Sequence, residues 1–177
     1  MTIAKLPQYL VDRYKDWKEN SFLENKFSYE QLAIDGQKPK GMIISCCDSR
    51  VHASSMFGAE TGEFFIHRNI ANLIPPYNPD GDHHGTSAAI EFAVSALEIP
   101  NIIILGHSNC GGIKNGYYLC KGKNNNNDLI FVNKWLNILQ PAYDSLNQLS
   151  DDNQMISQLE KESIKVSIKN LLDFPFI

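Results

Sequence analysis

Two short apolar runs constrain this chain more than anything else in it. They are Gly41-Met42-Ile43-Ile44-Ser45 and Asn101-Ile102-Ile103-Ile104-Leu105-Gly106. Each has the length and isoleucine content of a buried strand. Each stops at a segment of different character. Cys46-Cys47-Asp48-Ser49-Arg50 follows the first, and His107-Ser108-Asn109-Cys110 follows the second. Glu63-Phe64-Phe65-Ile66-His67 reads as a further strand. A helical stretch lies between the strands, rich in Ala88, Ala89, Ala93 and Ala96. This order predicts an α/β fold with a mainly parallel sheet flanked by helices. In such sheets ligands bind beyond the carboxyl ends of the strands, where both unusual segments fall.

The rest of the chain reads around that frame. Leu10, Tyr14 and Trp17 share one face of a predicted helix over residues 6–22. Asp35-Gly36-Gln37-Lys38-Pro39 is a turn. Residues 1–36 are therefore expected to form an N-terminal helical arm, and 37–177 the main domain. Pro75 to Gly81 is a loop. Thr86 or Ser87 is the expected cap of a helix reaching Leu97. The Asn124 to Asn127 tract reads as a solvated loop. Two helical stretches close the chain, about 129–149, interrupted at Pro141, and about 153–172. In the second, Ile164, Ile168 and Leu171 recur at helical spacing.

Composition excludes several classes of function. The 177 residues are 43% hydrophobic, enough for one domain with a core. A net charge of −4 without a basic stripe gives nucleic acid no footprint. The apolar runs are far too short to span a membrane. The N-terminus lacks the basic-then-apolar pattern of a secretory leader. Four cysteines in that context are expected to be reduced thiols, in part metal-bound, in the cytoplasm.

Cys46, His107 and Cys110 offer two thiolates and an imidazole. That donor set suits zinc, with a fourth position left open for water. The charge of such an ion acidifies bound water and generates a hydroxide nucleophile. Asp48 is placed to accept a hydrogen bond from that nucleophile. Arg50 is placed to pair with Asp48, keep it ionised and turn it from the metal. Gly111 and Gly112 allow close backbone approach beside Cys110. Cys47, one step along from Cys46, is expected to face the core. Cys120 reads as a free thiol near a polar loop, and His52, His83 and His84 as solvent histidines. A cysteine nucleophile at Cys110 with His107 as base is a poorer reading, since neighbours on one turn suit chelation better than attack.

These residues resemble the β-class carbonic anhydrases. The strings that carry the resemblance are Cys46 to Val51, His67-Arg68-Asn69-Ile70-Ala71-Asn72, Gly85 to Ala93, and Gly106 to Gly112. It extends from about Gln37 to the end of the chain. It implies Zn2+ held by Cys46, His107 and Cys110, with Asp48 and Arg50 as the catalytic dyad. It implies reversible hydration of carbon dioxide to bicarbonate through zinc-bound hydroxide. It also implies a homodimer or homotetramer with sites near the subunit interface. Gln37, Phe65, Ile70, Phe92 and Gly111 fall at positions that would contact substrate.

Three departures stand out. Phe92 occupies a position where plant-like members carry tyrosine, which keeps an aromatic wall but removes a hydroxyl. Ile43 stands where members with an inhibitory bicarbonate site carry tryptophan. Relatives also continue past a segment like Phe174-Pro175-Phe176 into further strands, whereas this sequence ends at Ile177. The 101–105 strand is therefore expected at an uncovered sheet edge. Two other readings follow from the resemblance: hydrolysis of carbon disulfide or carbonyl sulfide on the same fold, and an inactive zinc-binding homologue.

Overall fold

The computed structural model describes residues 5–80, 84–123, 128–147 and 151–177. His83, Gly81 and the Asn124 to Asn127 tract lie outside the described residues. Contacts divide the chain into two units, Met1–Gln37 and Lys38–Ile177.

The first unit is helical: α1 (Gln8–Glu19), α2 (Ser21–Glu24) and α3 (Lys26–Asp35). The expected single helix over 6–22 ends at Glu19. The reason is Asn20, whose amide bonds back to the Asp16 carbonyl at 3.0 Å and the Asp16 carboxylate at 2.9 Å. Such local bonds compete with helix continuation. Trp17 lies 5.4 Å from the Phe22 ring and 6.1 Å from Tyr29. No residue of these three helices is buried.

The second unit is built on three parallel strands. They are β1 (Gly41–Cys46), β2 (Phe64–Asn69) and β3 (Ile102–Leu105), in the order β2-β1-β3. Every residue of β1 is buried, as a central strand with two covered faces requires. Burial of Met42, Ile43 and Ile44 contributes about 1.5–3 kcal/mol each. Among the described residues β3 is an edge strand, and Ile103 on it is exposed.

Between β1 and β2 lies α4 (Ala53–Phe57). His52 caps it, its ring accepting the Ser55 N–H, and is exposed as expected. After β2 the chain makes a tight turn over Ile70–Asn72, with Ala71 and Asn72 at positive φ. α5 (Gly85–Glu91) then runs into a π-helical turn, Phe92–Ala96. The expected cap at Thr86 or Ser87 is corrected here. The helix begins at Gly85, which puts the cap position at His84, two residues before Thr86, and His84 makes no side-chain cap bond. The Thr86 hydroxyl is instead 2.9 Å from His67 Nε2 and accepts the Asn69 amide at 3.3 Å.

After β3 come α6 (Gly111–Cys120), α7 (Ile130–Leu136), α8 (Gln140–Asp144) and α9 (Asp152–Leu172). Pro141 falls in the first turn of α8, where its missing N–H costs nothing. The sequence reading did not foresee α6, because Gly111, Gly112 and Gly116 are poor helix formers. Packing explains Gly116: a Cβ there would collide with Leu139 Cδ1. Cys120 is the last residue of α6, a free thiol packed partly against the core. On α9 Leu171 is buried, but Ile168 is exposed.

Candidate metal centre

The parallel sheet brings the two ligand segments to one place. Cys46 ends β1 and Cys110 precedes α6, one strand away in the loop after β3. Their sulfurs are 3.8 Å apart, and both residues are buried. The ligand atoms of Cys46, His107 and Cys110 all lie within 4.8 Å of one another. His107 Nδ1 is 3.0 Å from the Ser108 carbonyl, which makes Nδ1 the protonated nitrogen. The lone pair is then on Nε2. Among the described residues, Nε2 is buried without a hydrogen-bond partner.

These observations test whether a metal fits. Thiolates about 2.3 Å from a tetrahedral zinc lie about 3.8 Å apart, the separation seen. A disulfide would need about 2.05 Å. The orphaned imidazole nitrogen supplies the third donor. The donor set and its spacing therefore fit zinc.

The two sulfurs lie within hydrogen-bond reach of each other. The hydrogen bond from the Cys110 thiol pulls Cys46 well below the ordinary thiol value, aided by the Asp48 N–H and opposed by burial. The same bond pushes Cys110 up, with burial adding to it. The pair thus presents one thiolate to an incoming cation and releases the remaining proton on binding.

Asp48 and Arg50 form a fork. Asp48 Oδ1 accepts Arg50 Nε at 2.9 Å and the Arg50 N–H at 3.0 Å, and Oδ2 accepts Nη2 at 2.8 Å. The guanidinium holds the Asp48 carboxyl far below the usual carboxylate range. In return Asp48 raises the Arg50 pKa. Asp48 donates its own N–H to Cys46 Sγ at 3.4 Å, so the dyad stands directly beside the cradle.

Three further residues hold this arrangement, and the sequence reading gave none of them a role. Arg68 on β2 donates Nε to the Cys46 carbonyl at 3.0 Å and Nη2 to the Asp48 carbonyl at 2.8 Å. Asn109, at φ 53°, offers its carbonyl to Arg50 Nη2 at 3.0 Å. Glu160 on α9 accepts the Cys110 N–H at 2.9 Å. Arg68 lies in the segment from His67 to Asn72 that resembles the family, but nothing in the sequence marks Glu160 among the charges of a long helix.

Cys47 is a correction. It is exposed, not core-packed. The strand ends at Cys46, so the alternation that predicted an inward side chain stops there. Cys47 lines a groove of about 730 Å³ with His67, Ile70, Thr86, Phe131 and Trp135.

The residues expected to contact substrate do not all gather at the cradle. Ile70 is exposed and follows the end of β2, in register beside Cys46. A Cβ on Gly112 would meet Ile70 Cγ2 at 2.9 Å, so a glycine is needed where α6 presses on that turn. Gly111 is exposed, with open space at its Cα. Phe65 and Phe92 pair with ring centroids 6.0 Å apart, and Phe92 is 49% exposed. Phe65 is in register with Met42, four residues before Cys46, or about 13 Å along the strand. Gln37 is exposed and belongs to the first unit.

Comparison with known proteins gives a consistent result. A carbonic anhydrase family model matches residues 41–177. Beta carbonic anhydrase 3 of Arabidopsis thaliana is 38% identical over 175 residues, covering 94% of this chain and 66% of that relative. The chain thus spans just under two thirds of that relative's length. The solved structure of the β-carbonic anhydrase CcaA superposes with a TM-score of 0.79 at 33% identity, over 96% of this chain and 75% of the other. One of the two tetrameric β-carbonic anhydrases of Sordaria macrospora gives 0.76 at 26% identity, over 96% and 82%.

Proposed function

From the premise that this chain belongs to the β-class carbonic anhydrases, we propose that it catalyses the reversible hydration of carbon dioxide to bicarbonate and a proton. The observation that carries this reading is the convergence of Cys46, His107 and Cys110 beside the Asp48–Arg50 fork. Cys46 Sγ, His107 Nε2 and Cys110 Sγ are the ligands we assign to Zn2+. Zinc, when bound, acidifies a water so that it is a nucleophile near neutral pH, as in the three-histidine carbonic anhydrases, where the value is about 7.

The chain's own residues do the rest. Asp48 stays ionised because of Arg50, so it accepts a hydrogen bond and orients the attacking oxygen's lone pair. Arg50 turns the carboxylate away from the cradle and ties it to the 107–110 loop through the Asn109 carbonyl. Ile70 and the largely apolar groove beside it suit an apolar, uncharged gas. Gly111 leaves the space next to Cys110 clear for substrate.

Phe65 lies about 13 Å along the strands from the level of Cys46, and Phe92 packs on it rather than on the cradle of its own chain. We assign them to the site of a second copy, in a homodimer or homotetramer. The neighbour from Sordaria macrospora is tetrameric. Among the described residues no helix is long and apolar enough to cross a membrane. Four free cysteines suit a reducing compartment such as the cytoplasm.

The test is zinc content together with stopped-flow hydration of carbon dioxide. One zinc per chain and rapid hydration are expected. Full zinc loading without hydration would favour a non-catalytic zinc protein and overturn the reading.

A further inference from the structure

A single peptide group, the one joining Asn109 to Cys110, is gripped at both ends by charged side chains. Its oxygen accepts Arg50 Nη2 at 3.0 Å. Its N–H donates to Glu160 Oε1 at 2.9 Å. Arg50 is in turn forked onto Asp48. The bonds form a continuous line: Glu160 carboxylate, peptide group, Arg50 guanidinium, Asp48 carboxylate. We propose that Glu160 is a positioning residue that sets the 109–110 peptide plane and, through it, both the Cys110 ligand and the Arg50–Asp48 pair. This inference rests on reading Cys46, His107 and Cys110 as the metal cradle.

The physical case starts from planarity. A peptide group is rigid, so fixing its oxygen and its N–H fixes the plane. That sets ψ of Asn109 and φ of Cys110, and so the direction in which Cys110 carries its sulfur. Asn109 sits at φ 53°, a left-handed conformation that asparagine adopts more readily than most residues. Arg50 and Glu160 then hold the orientation of the peptide that follows. Both bonds to the peptide are charge-assisted, and each polarises the group in the sense that strengthens the other.

Glu160 is itself held in place. Its neighbours Ile156 and Leu159 are buried in the same core cluster as Ile113 of α6. Eight residues earlier on α9, Asp152 accepts the Tyr117 hydroxyl at 2.7 Å and the Lys121 ammonium at 2.5 Å. Eight residues of helix span about 12 Å, and Cys110 to Tyr117 is a similar length of α6. The two helices therefore run antiparallel, pinned at one end by Asp152 and at the other by Glu160. Among the described residues, the Asp152 side chain bonds Tyr117 and Lys121 and no cradle residue, which makes it a control for helix docking alone.

The experiment compares Glu160→Ala, Glu160→Gln and Glu160→Asp with the parent and with Asp152→Asn. The readouts are zinc affinity by chelator competition, the thiolate–cobalt absorption of the Co2+-substituted protein, and hydration rate. Glu160→Ala should lose about tenfold or more in zinc affinity and shift the cobalt band. Glu160→Gln keeps an acceptor oxygen at the same reach but loses the charge, so it should fall between the parent and the alanine variant. Asp152→Asn should lower the melting temperature yet leave the cobalt band in place. If Glu160→Ala does not fold, Glu160→Asp, whose carboxylate is one methylene short, must show the loss. Parent-like affinity and spectrum in the alanine or aspartate variant overturn the proposal. So does a glutamine variant as impaired as alanine. A parent that binds no zinc sinks the metal reading itself, and that failure is seen before any variant is made.

Discussion

The cradle at the ends of β1 and β3 and the aromatic corner, where Phe65 of β2 meets Phe92 of the π-helical turn, are finished differently. At the cradle the two ligand loops are laced by Arg50, Arg68 and Glu160, and the ligand cysteines are buried. At the corner two rings lean together, and half of Phe92 faces outward. All three candidate donors of the cradle come from one chain. At the corner Phe92 is left half exposed. On the proposed function, the difference separates two properties: metal binding should belong to the single chain, and full catalysis to an assembly.

The hardest blow to that separation is aimed at the cradle. Cys46→Ser should lose most of its zinc, since a hydroxyl is a poor donor near neutral pH. The affinity loss should exceed the roughly 10–100-fold cost of removing an outer partner of a ligand. Elemental analysis after dialysis decides the point, and full retention would remove Cys46 from the ligand set. Next in size are Asp48→Ala and Arg50→Ala. Each should lower kcat/KM for hydration by about a hundredfold or more with zinc still bound. Near-parent rates in both would leave the fork a structural ion pair, worth little on an exposed surface.

The corner is tested by Phe65→Ala or Phe92→Ala. Either removes about 1.5–3 kcal/mol of burial if a second copy covers the ring. Zinc content should be unchanged. Sedimentation should show weaker association, and specific activity should fall on dilution. Dilution-insensitive activity and unchanged association would leave Phe92 an ordinary surface aromatic and Phe65 a part of its own chain's core.

The same contrast explains what could be read from sequence. Cys46, Asp48, Arg50, His107 and Cys110 were legible because each ligand segment is local and follows a recognisable buried strand. The strands were legible because their apolar runs are short and bounded. Glu160 was not, because the contact spans 50 residues and depends on how α9 packs on α6. The Asn109 carbonyl was invisible for a simpler reason: every residue has one. Cys47 was misread because strand alternation was carried one residue past the strand's end. Thr86 was misread because a tertiary partner, His67, engages a hydroxyl that a local rule assigns to a cap. Local chemistry was readable, and the supports that cross the fold were not.

The smallest expected effect concerns the thiols outside the cradle, and it sharpens the boundary of the metal site. Cys47 is exposed beside Cys46, whereas Cys120 is half-buried at the end of α6. Burial, with Asp144 adding to it, pushes the Cys120 thiol up to about 11. At pH 8 only roughly one in a thousand Cys120 side chains is then thiolate, the reactive form. Iodoacetamide at pH 8 should therefore label Cys47 first and Cys120 slowly, with Cys46 and Cys110 protected while zinc is bound. Chelation should open Cys46 to the reagent. The sign of the pH effect on stability follows from the same shift. A thiol raised above its ordinary value of 9.0 contributes full stability below about pH 9 and loses it as pH rises toward about 11. Tyr117 is also raised, chiefly by burial, so the alkaline loss needs a control that isolates the thiol. Cys120→Ala should flatten the decline between pH 9 and 11 by a small amount in denaturant melts. An equally steep decline in that variant would assign the alkaline loss to Tyr117 and its partners Lys121 and Asp152 instead.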